Sequence, residues 1–92
     1  VLVQILRVSG SVEEVELTQA NWVKELEPLI DSRCFDTVNL GDGKVMIVDD
    51  DGYMREREVN LRATMLYWSV KGLTNWCILG DVAIMNDRDL GD

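Results

Sequence analysis

CFDTVNLGDGKVMIVD, residues Cys34 to Asp49, decides the fold class of this chain. Two runs of strand-forming residues flank Gly41-Asp42-Gly43, whose glycines tolerate the positive φ of a tight turn. The stretch predicts a β-hairpin with strands over Cys34 to Leu40 and Lys44 to Asp49. A second hairpin precedes it. Val1 to Val8 alternates loosely, Ser9-Gly10-Ser11 supplies a turn, and Val12 to Leu17 alternates again. Between the hairpins, Thr18 is placed to cap a helix opening at Gln19, with Ala20, Val23, Leu26, Leu29 and Ile30 on its inner side and Lys24, Glu25 and Glu27 outward. Pro28 is expected to end or kink it.

Beyond the central hairpin, Asp50-Asp51-Gly52 reads as a turn, and the alternation of Tyr53, Arg55 and Arg57 with Met54, Glu56 and Glu58 predicts a charged edge strand. Asn60 caps a second helix over Leu61 to Lys71, and Gly72 closes it. Apolar side chains surround that helix, so it is either deeply buried or partly an interface. The last element runs from Trp76 to Met85, with Gly80-Asp81 bulging one strand or separating two. Residues 86–92 read as a flexible tail. The expectation is one α+β domain over residues 1–92, with a largely antiparallel sheet of five or six strands and two helices packed on one face.

Composition narrows the chemistry. The 92 residues contain 17 acidic and 9 basic side chains, a formal charge of −8, and no histidine. That charge disfavours direct binding of nucleic acid. The absence of imidazole removes the usual general base and every nucleophile arrangement built on it. No apolar run approaches the roughly 20 residues of a membrane-spanning helix, and residues 1 onward lack the pattern of a secretory signal, so the expectation is no membrane and a cytoplasmic location in a bacterial host. Cys34 and Cys77 lack ligand spacing and are expected as buried free thiols.

Each constellation has a plain competitor. With Gly52 at the turn position of a calcium loop, Asp49, Asp51 and Glu58 fall at ligand positions, but Ile47 stands where the first ligand belongs and a strand replaces the flanking helix. No metal and no cofactor are expected. Asp42, Asp49, Asp50, Asp51 and Asp81 form no singled-out catalytic pair, and Gly41-x-Gly43 lacks the helix of a phosphate loop. Arg55, Arg57 and Arg62 form the one basic concentration, interleaved with Tyr53 and neutralised by Glu56 and Glu58, and predict intramolecular or exposed ion pairing. Asn60, Arg62 and Thr64 at a helix start are candidates for holding a small anion. Trp22, Trp68 and Trp76 are expected in the core, and any exposed one would anchor a partner, with Tyr67 and Trp68 the first candidates. Regularly spaced carboxylates, Asp49, Asp50 and Asp51 among them, could imitate a phosphate backbone in a basic groove. The second helix and Ile78 to Met85 also raise homodimerisation, since they carry more apolar surface than so small a domain readily buries.

Taken together, Gly10 to Leu17, Leu40 to Asp49, Asn60-Leu61-Arg62-Ala63-Thr64 and Ile78 to Ile84 resemble the phage- and plasmid-encoded family called domain of unknown function 3846. The Asn-x-x-Ala-Thr helix start and the Gly80-Asp81 pair are its most characteristic pieces. Pro28 to Ser32 departs from the glycine-containing end of the family's first helix, and Trp22 and Trp68 are not part of its pattern. The resemblance implies an accessory protein of a mobile genetic element and brings no catalytic residues. Association with that gene class implies interference with a nucleic-acid-targeting host defence, of anti-CRISPR or antirestriction type, by binding a host or phage protein. The alternative expectation is a non-catalytic small-ligand or regulatory module.

Overall fold

Five strands make one sheet in the order β2-β1-β5-β4-β3, each neighbour antiparallel to the next, in a computed structural model that describes residues 1–52 and 54–90. The elements are β1 (Leu2–Leu6), β2 (Val12–Glu16), α1 (Trp22–Ile30), β3 (Phe35–Gly41), β4 (Lys44–Asp49), α2 (Leu61–Lys71) and β5 (Val82–Asn86), followed by a 3-10 turn, Asp87–Leu90. Both expected hairpins are present. β1 and β2 pair from Leu2↔Glu16 to Leu6↔Val12, and β3 pairs with β4 from Phe35↔Asp49 to Gly41↔Lys44 across the glycine turn. The last strand then enters the centre, pairing Gln4↔Ile84 on one side and Met46↔Ile84 on the other.

The α+β class and the antiparallel sheet are as expected, but the two helices, expected together on one face, lie on opposite faces. Trp22, Leu26 and Ile30 of α1 pack with Val3, Ile5, Val45, Ile47, Ala83 and Met85. Ala63, Leu66 and Tyr67 of α2 pack with Leu6, Met46, Val82 and Ile84. The cause is legible in β4 and β5, where Val45-Met46-Ile47 and Val82-Ala83-Ile84-Met85 are apolar at consecutive positions. Side chains alternate across a strand, so such runs need cover on both sides.

α1 also differs from its expected outline. It opens at Trp22, three residues later than Gln19, because the backbone N–H and hydroxyl of Thr18 both donate to the Glu25 carboxylate, at 2.7 and 2.9 Å, and hold residues 18–21 as a turn. The later start moves the inner stripe to Trp22, Leu26 and Ile30 and leaves Ala20 and Val23 exposed. Pro28 sits within the helix without ending it. Asp31 ends it instead, in the left-handed region at φ 52, and both its N–H and that of Ser32 donate to the Glu27 carbonyl.

Residues 54–56 form turns and 57–58 are irregular, in place of the expected edge strand: Arg55 N–H donates to the Asp51 carbonyl and Arg57 N–H to that of Gly52, at 2.9 and 3.0 Å. Tyr53, part of that expected strand, lies outside the described residues. Gly80-Asp81 separates β5 from residues 76–79, which pair with the chain before α2 through the bridge Val59↔Leu79. Residues 87–90 of the expected tail are ordered, and Leu90 packs against the α1-side core; Gly91 and Asp92 lie outside the described residues.

α2 has the bounds its sequence implies, and its start is densely hydrogen-bonded. The Asn60 carboxamide accepts from Ala63 N–H at 3.0 Å and donates to the carbonyls of Leu6 and Gly80, both at 2.9 Å, while its backbone N–H reaches the Ile78 carbonyl. Thr64 Oγ1, one turn on, accepts from Ile78 N–H at 2.9 Å and donates to the Ile78 carbonyl at 3.3 Å. Asn60→Ala therefore strands one buried donor and two buried acceptors. We expect it to lower the unfolding free energy by about 3 kcal/mol, seen in urea titration as a lower midpoint with the same slope.

Candidate functional site

The turn preference of an α-helix divides α2 into three strips. Ala63, Leu66 and Tyr67 face the sheet, and Asn60, Thr64 and Trp68 face the segment 76–80. Leu61 and Met65 face outward, one turn apart, with Trp68 beside them. Trp68 Nε1 donates to the Trp76 carbonyl at 3.0 Å, and Trp76 N–H donates to Thr74 Oγ1, so the loop after α2 folds back against its C-terminal half. Leu61 is 65% exposed, Met65 59%, Leu73 83% and Trp76 57%. Apolar groups exposed together in this way mark interaction surfaces.

Charge sets this surface apart. No Asp or Glu occurs between Glu58 and Asp81, although the chain has 17 of them, and the cations of this stretch are Arg62 and Lys71. Tyr67, a first candidate as a partner anchor, is half-buried on the sheet side, whereas Trp68 lies at the margin of the exposed surface. Trp22 is in the core, and Trp76, expected there, is exposed. Sequence reasoning missed Leu61, Met65 and Leu73 and assigned Trp76 to the core. The acid-free run from Val59 to Gly80 was the signal that could have found them.

The acidic candidates divide. The Asp49 side chain is only 2% exposed. It accepts from Ser32 Oγ at 2.8 Å and Asp51 N–H at 3.1 Å, with Arg55 Nη1 at 3.4 Å and Arg57 Nε at 3.5 Å. Both arginines also reach Asp31 at the end of α1, Arg57 Nη1 lying 2.9 Å from its carboxylate. Arg55 and Arg57 thus pair within the chain, with Asp31 and Asp49 rather than with the neighbouring Glu56 and Glu58, and this takes Asp49 out of any surface that could imitate a phosphate backbone. Asp50 is exposed and Asp51 half-exposed. Asp81 is likewise engaged: it holds Arg7 at 3.0 Å and accepts from Val8 N–H at 2.8 Å, while Arg7 also bonds Glu13 and the Leu29 carbonyl.

The anion site expected of Asn60, Arg62 and Thr64 is not assembled. Asn60 and Thr64 are buried with their polar atoms committed to Leu6, Gly80, Ala63 and Ile78, and Arg62 points to solvent. The cysteines, expected to be buried, are not: Cys34 is exposed and Cys77 half-exposed. Among the described residues no helix is long and apolar enough to cross a membrane. Comparison with protein-family models, with curated proteins and with solved structures returns no match to this chain.

Cys34 shows how the acidic turn acts on its surroundings. The negative charge of Asp51 is the main cause that raises the thiol pKa, with lesser contributions from desolvation and from Asp50 and Asp49. A raised pKa leaves less thiolate at a given pH, and the thiolate is the nucleophile. Cys34 should therefore alkylate with iodoacetamide more slowly than free cysteine at mildly alkaline pH, and Asp51→Asn should speed it; mass spectrometry of the labelled peptide reads both.

Proposed function

We propose that this chain is a small, non-catalytic accessory protein that acts by binding another protein through the outer face of α2 and the loop after it. The observation that carries this reading is the exposure of Leu61, Met65, Leu73 and Trp76 on a helix and loop, residues 59–80, that carry no carboxylate of their own. Tryptophan beside aliphatic neighbours is the composition of binding hot spots. The absence of histidine and the commitment of Asp49 and Asp81 to arginine pairs support the non-catalytic part.

The mobile-element setting rests on the stretches that resemble domain of unknown function 3846, and a host defence complex that handles nucleic acid is the partner that setting favours. An apolar contact and an acidic mimic predict opposite sensitivities. If α2 makes the contact, the tagged chain retains its partner in high salt and in excess DNA, and Met65→Glu releases it. Asp50→Asn with Asp51→Asn leaves it bound. Trp76→Ala should weaken the complex about thirtyfold, the effect of losing one hot-spot residue worth about 2 kcal/mol. Release by salt or DNA, with no effect of Met65→Glu, would transfer the function to the carboxylates and overturn this reading.

A further inference from the structure

The two edges of the sheet are finished differently. A bare edge strand presents N–H and C=O groups with which another extended backbone can pair, and in an antiparallel ladder bonded and unbonded pairs alternate. On β3, Asp50 N–H donates to the Cys34 carbonyl at 2.8 Å, which in the register of this hairpin makes Asp36 and Val38 bonded positions and turns Phe35, Thr37 and Asn39 outward. The middle one of these is capped: Thr37 N–H donates to Asp36 Oδ1 at 2.9 Å. A bulge between Asn39 and Gly41 then shifts the register, with Gly41 N–H donating to Asn39 Oδ1 at 2.8 Å. A capped donor and a bulge close an edge to further strands.

β2, the opposite edge, has neither device. Leu17 N–H donates to the Val1 carbonyl at 2.7 Å and Arg7 N–H to that of Ser11 at 2.9 Å, so the odd-numbered positions are bonded to β1, and Val12, Glu14 and Glu16 turn their backbone groups outward. The register is unbroken from Leu2↔Glu16 to Leu6↔Val12, and among the described residues nothing caps the outward N–H groups. The side chains of the same three residues lie on the α2 side of the sheet, as that of Leu6 does. Glu13, on the α1 side, holds Arg7 at 2.8 Å, and Glu16 holds the amino group of Val1 at 2.8 Å. Glu14 is exposed and has no ion-pair partner among the described residues.

We propose that β2 accepts a sixth strand from a partner protein: an antiparallel extended segment with cationic side chains at alternate positions. An extended backbone is what matches outward N–H and C=O groups that recur every second residue along a straight edge. Directly opposite residues of an antiparallel pair share a face, so the residues bonded to Val12, Glu14 and Glu16 set their side chains beside these three, and a cation opposite Glu14 meets an unpaired carboxylate. Glu14 and the half-exposed Leu2 also line the groove of about 500 Å³ that runs toward α2, which gives the aliphatic stem of a lysine or arginine apolar cover. The cation of that groove, Lys44, stands three strands away on β4. A second copy of this chain does not qualify, because its β2 would set glutamates against glutamates and its β3 carries the cap, the bulge and Asp36. The edge shares no residue with the outer face of α2, so the two readings stand or fall separately.

A short blocked peptide alternating lysine and threonine, titrated into the isotope-labelled whole chain and followed by nuclear magnetic resonance, tests this. Amide exchange should slow at Val12, Glu14 and Glu16 and stay as it is at Glu13 and Val15, which β1 already holds. Glu14→Lys should weaken binding by about tenfold, with an unchanged melting curve because the side chain is exposed; Glu14→Gln should weaken it less. N-methylation of the peptide's lysines removes the donors that face β2 and should abolish binding, whereas N-methylation of its threonines, whose donors face solvent, should not. Loss on methylating the threonines in place of the lysines overturns the antiparallel assignment. Binding that survives both methylations is plain attraction to a chain of charge −8 and overturns strand addition. Binding indifferent to Glu14→Lys, or no slowing at the three amides, overturns it too.

Discussion

One side chain joins the two halves of this molecule. Asn60 bonds the last carbonyl of β1, the carbonyl of Gly80 ahead of β5 and the N–H of Ala63 in the first turn of α2, and so fixes the end of one strand, the approach of another and the start of a helix together. All three bonds are buried, where an unpaired amide or carbonyl costs far more than a satisfied one gains. The arrangement also requires Ala63 against the sheet and Thr64 on the Ile78 backbone. The short stretch from Asn60 to Thr64 thus carries more of the tertiary structure than its length suggests.

Ion pairs repeat the pattern at neighbouring points of the same end of the sheet. Arg7 links β1 to Glu13, Asp81 and the end of α1, and its hydrogen bond with Glu13 is the main cause raising its pKa. Arg55 and Arg57 link the segment after β4 to Asp31 and Asp49. Three of the chain's 9 basic residues are engaged in these two networks. Pairing of partly exposed groups contributes modestly to stability, yet it decides where the remaining charge lies. Acids cluster over the hairpins and turns, and the outer side of α2 is left without any.

Both hairpins, the second helix with its two caps, and the α+β class were legible because each depends on signals a few residues apart: a glycine turn between strand formers, or an asparagine before a helix and a glycine after it. The opposite-face placement of the helices was legible too, in the consecutive apolar residues of β4 and β5, but the alternation was read as covered on one side only. The true start of α1 was not, because Thr18 caps through Glu25 rather than as the first residue of the helix. The candidate site was half visible. Trp68 and the apolar surround of α2 pointed to it, whereas Tyr67 differs from Trp68 only by a rotation of one residue about the helix, which sequence reading could not orient before the position of the sheet was known. Asp49, alike in sequence to Asp50 and Asp51, became distinct only when Arg55 and Arg57 folded onto it.

The central position of β5 bears on how the protein is made. Val82–Asn86 pairs with β1, nearly the whole length of the chain away, and with β4. A ribosome releases the two hairpins long before it releases the strand that joins them, and isolated hairpins are marginal in water. Until residue 86 has emerged, Val3, Ile5, Val45 and Ile47 have no sheet to belong to. Synthesis therefore delivers an incomplete molecule that folds late and all at once, with long-range pairing setting its pace, and the glutamates of β2 and the capped donors of β3 guard its open edges during the wait.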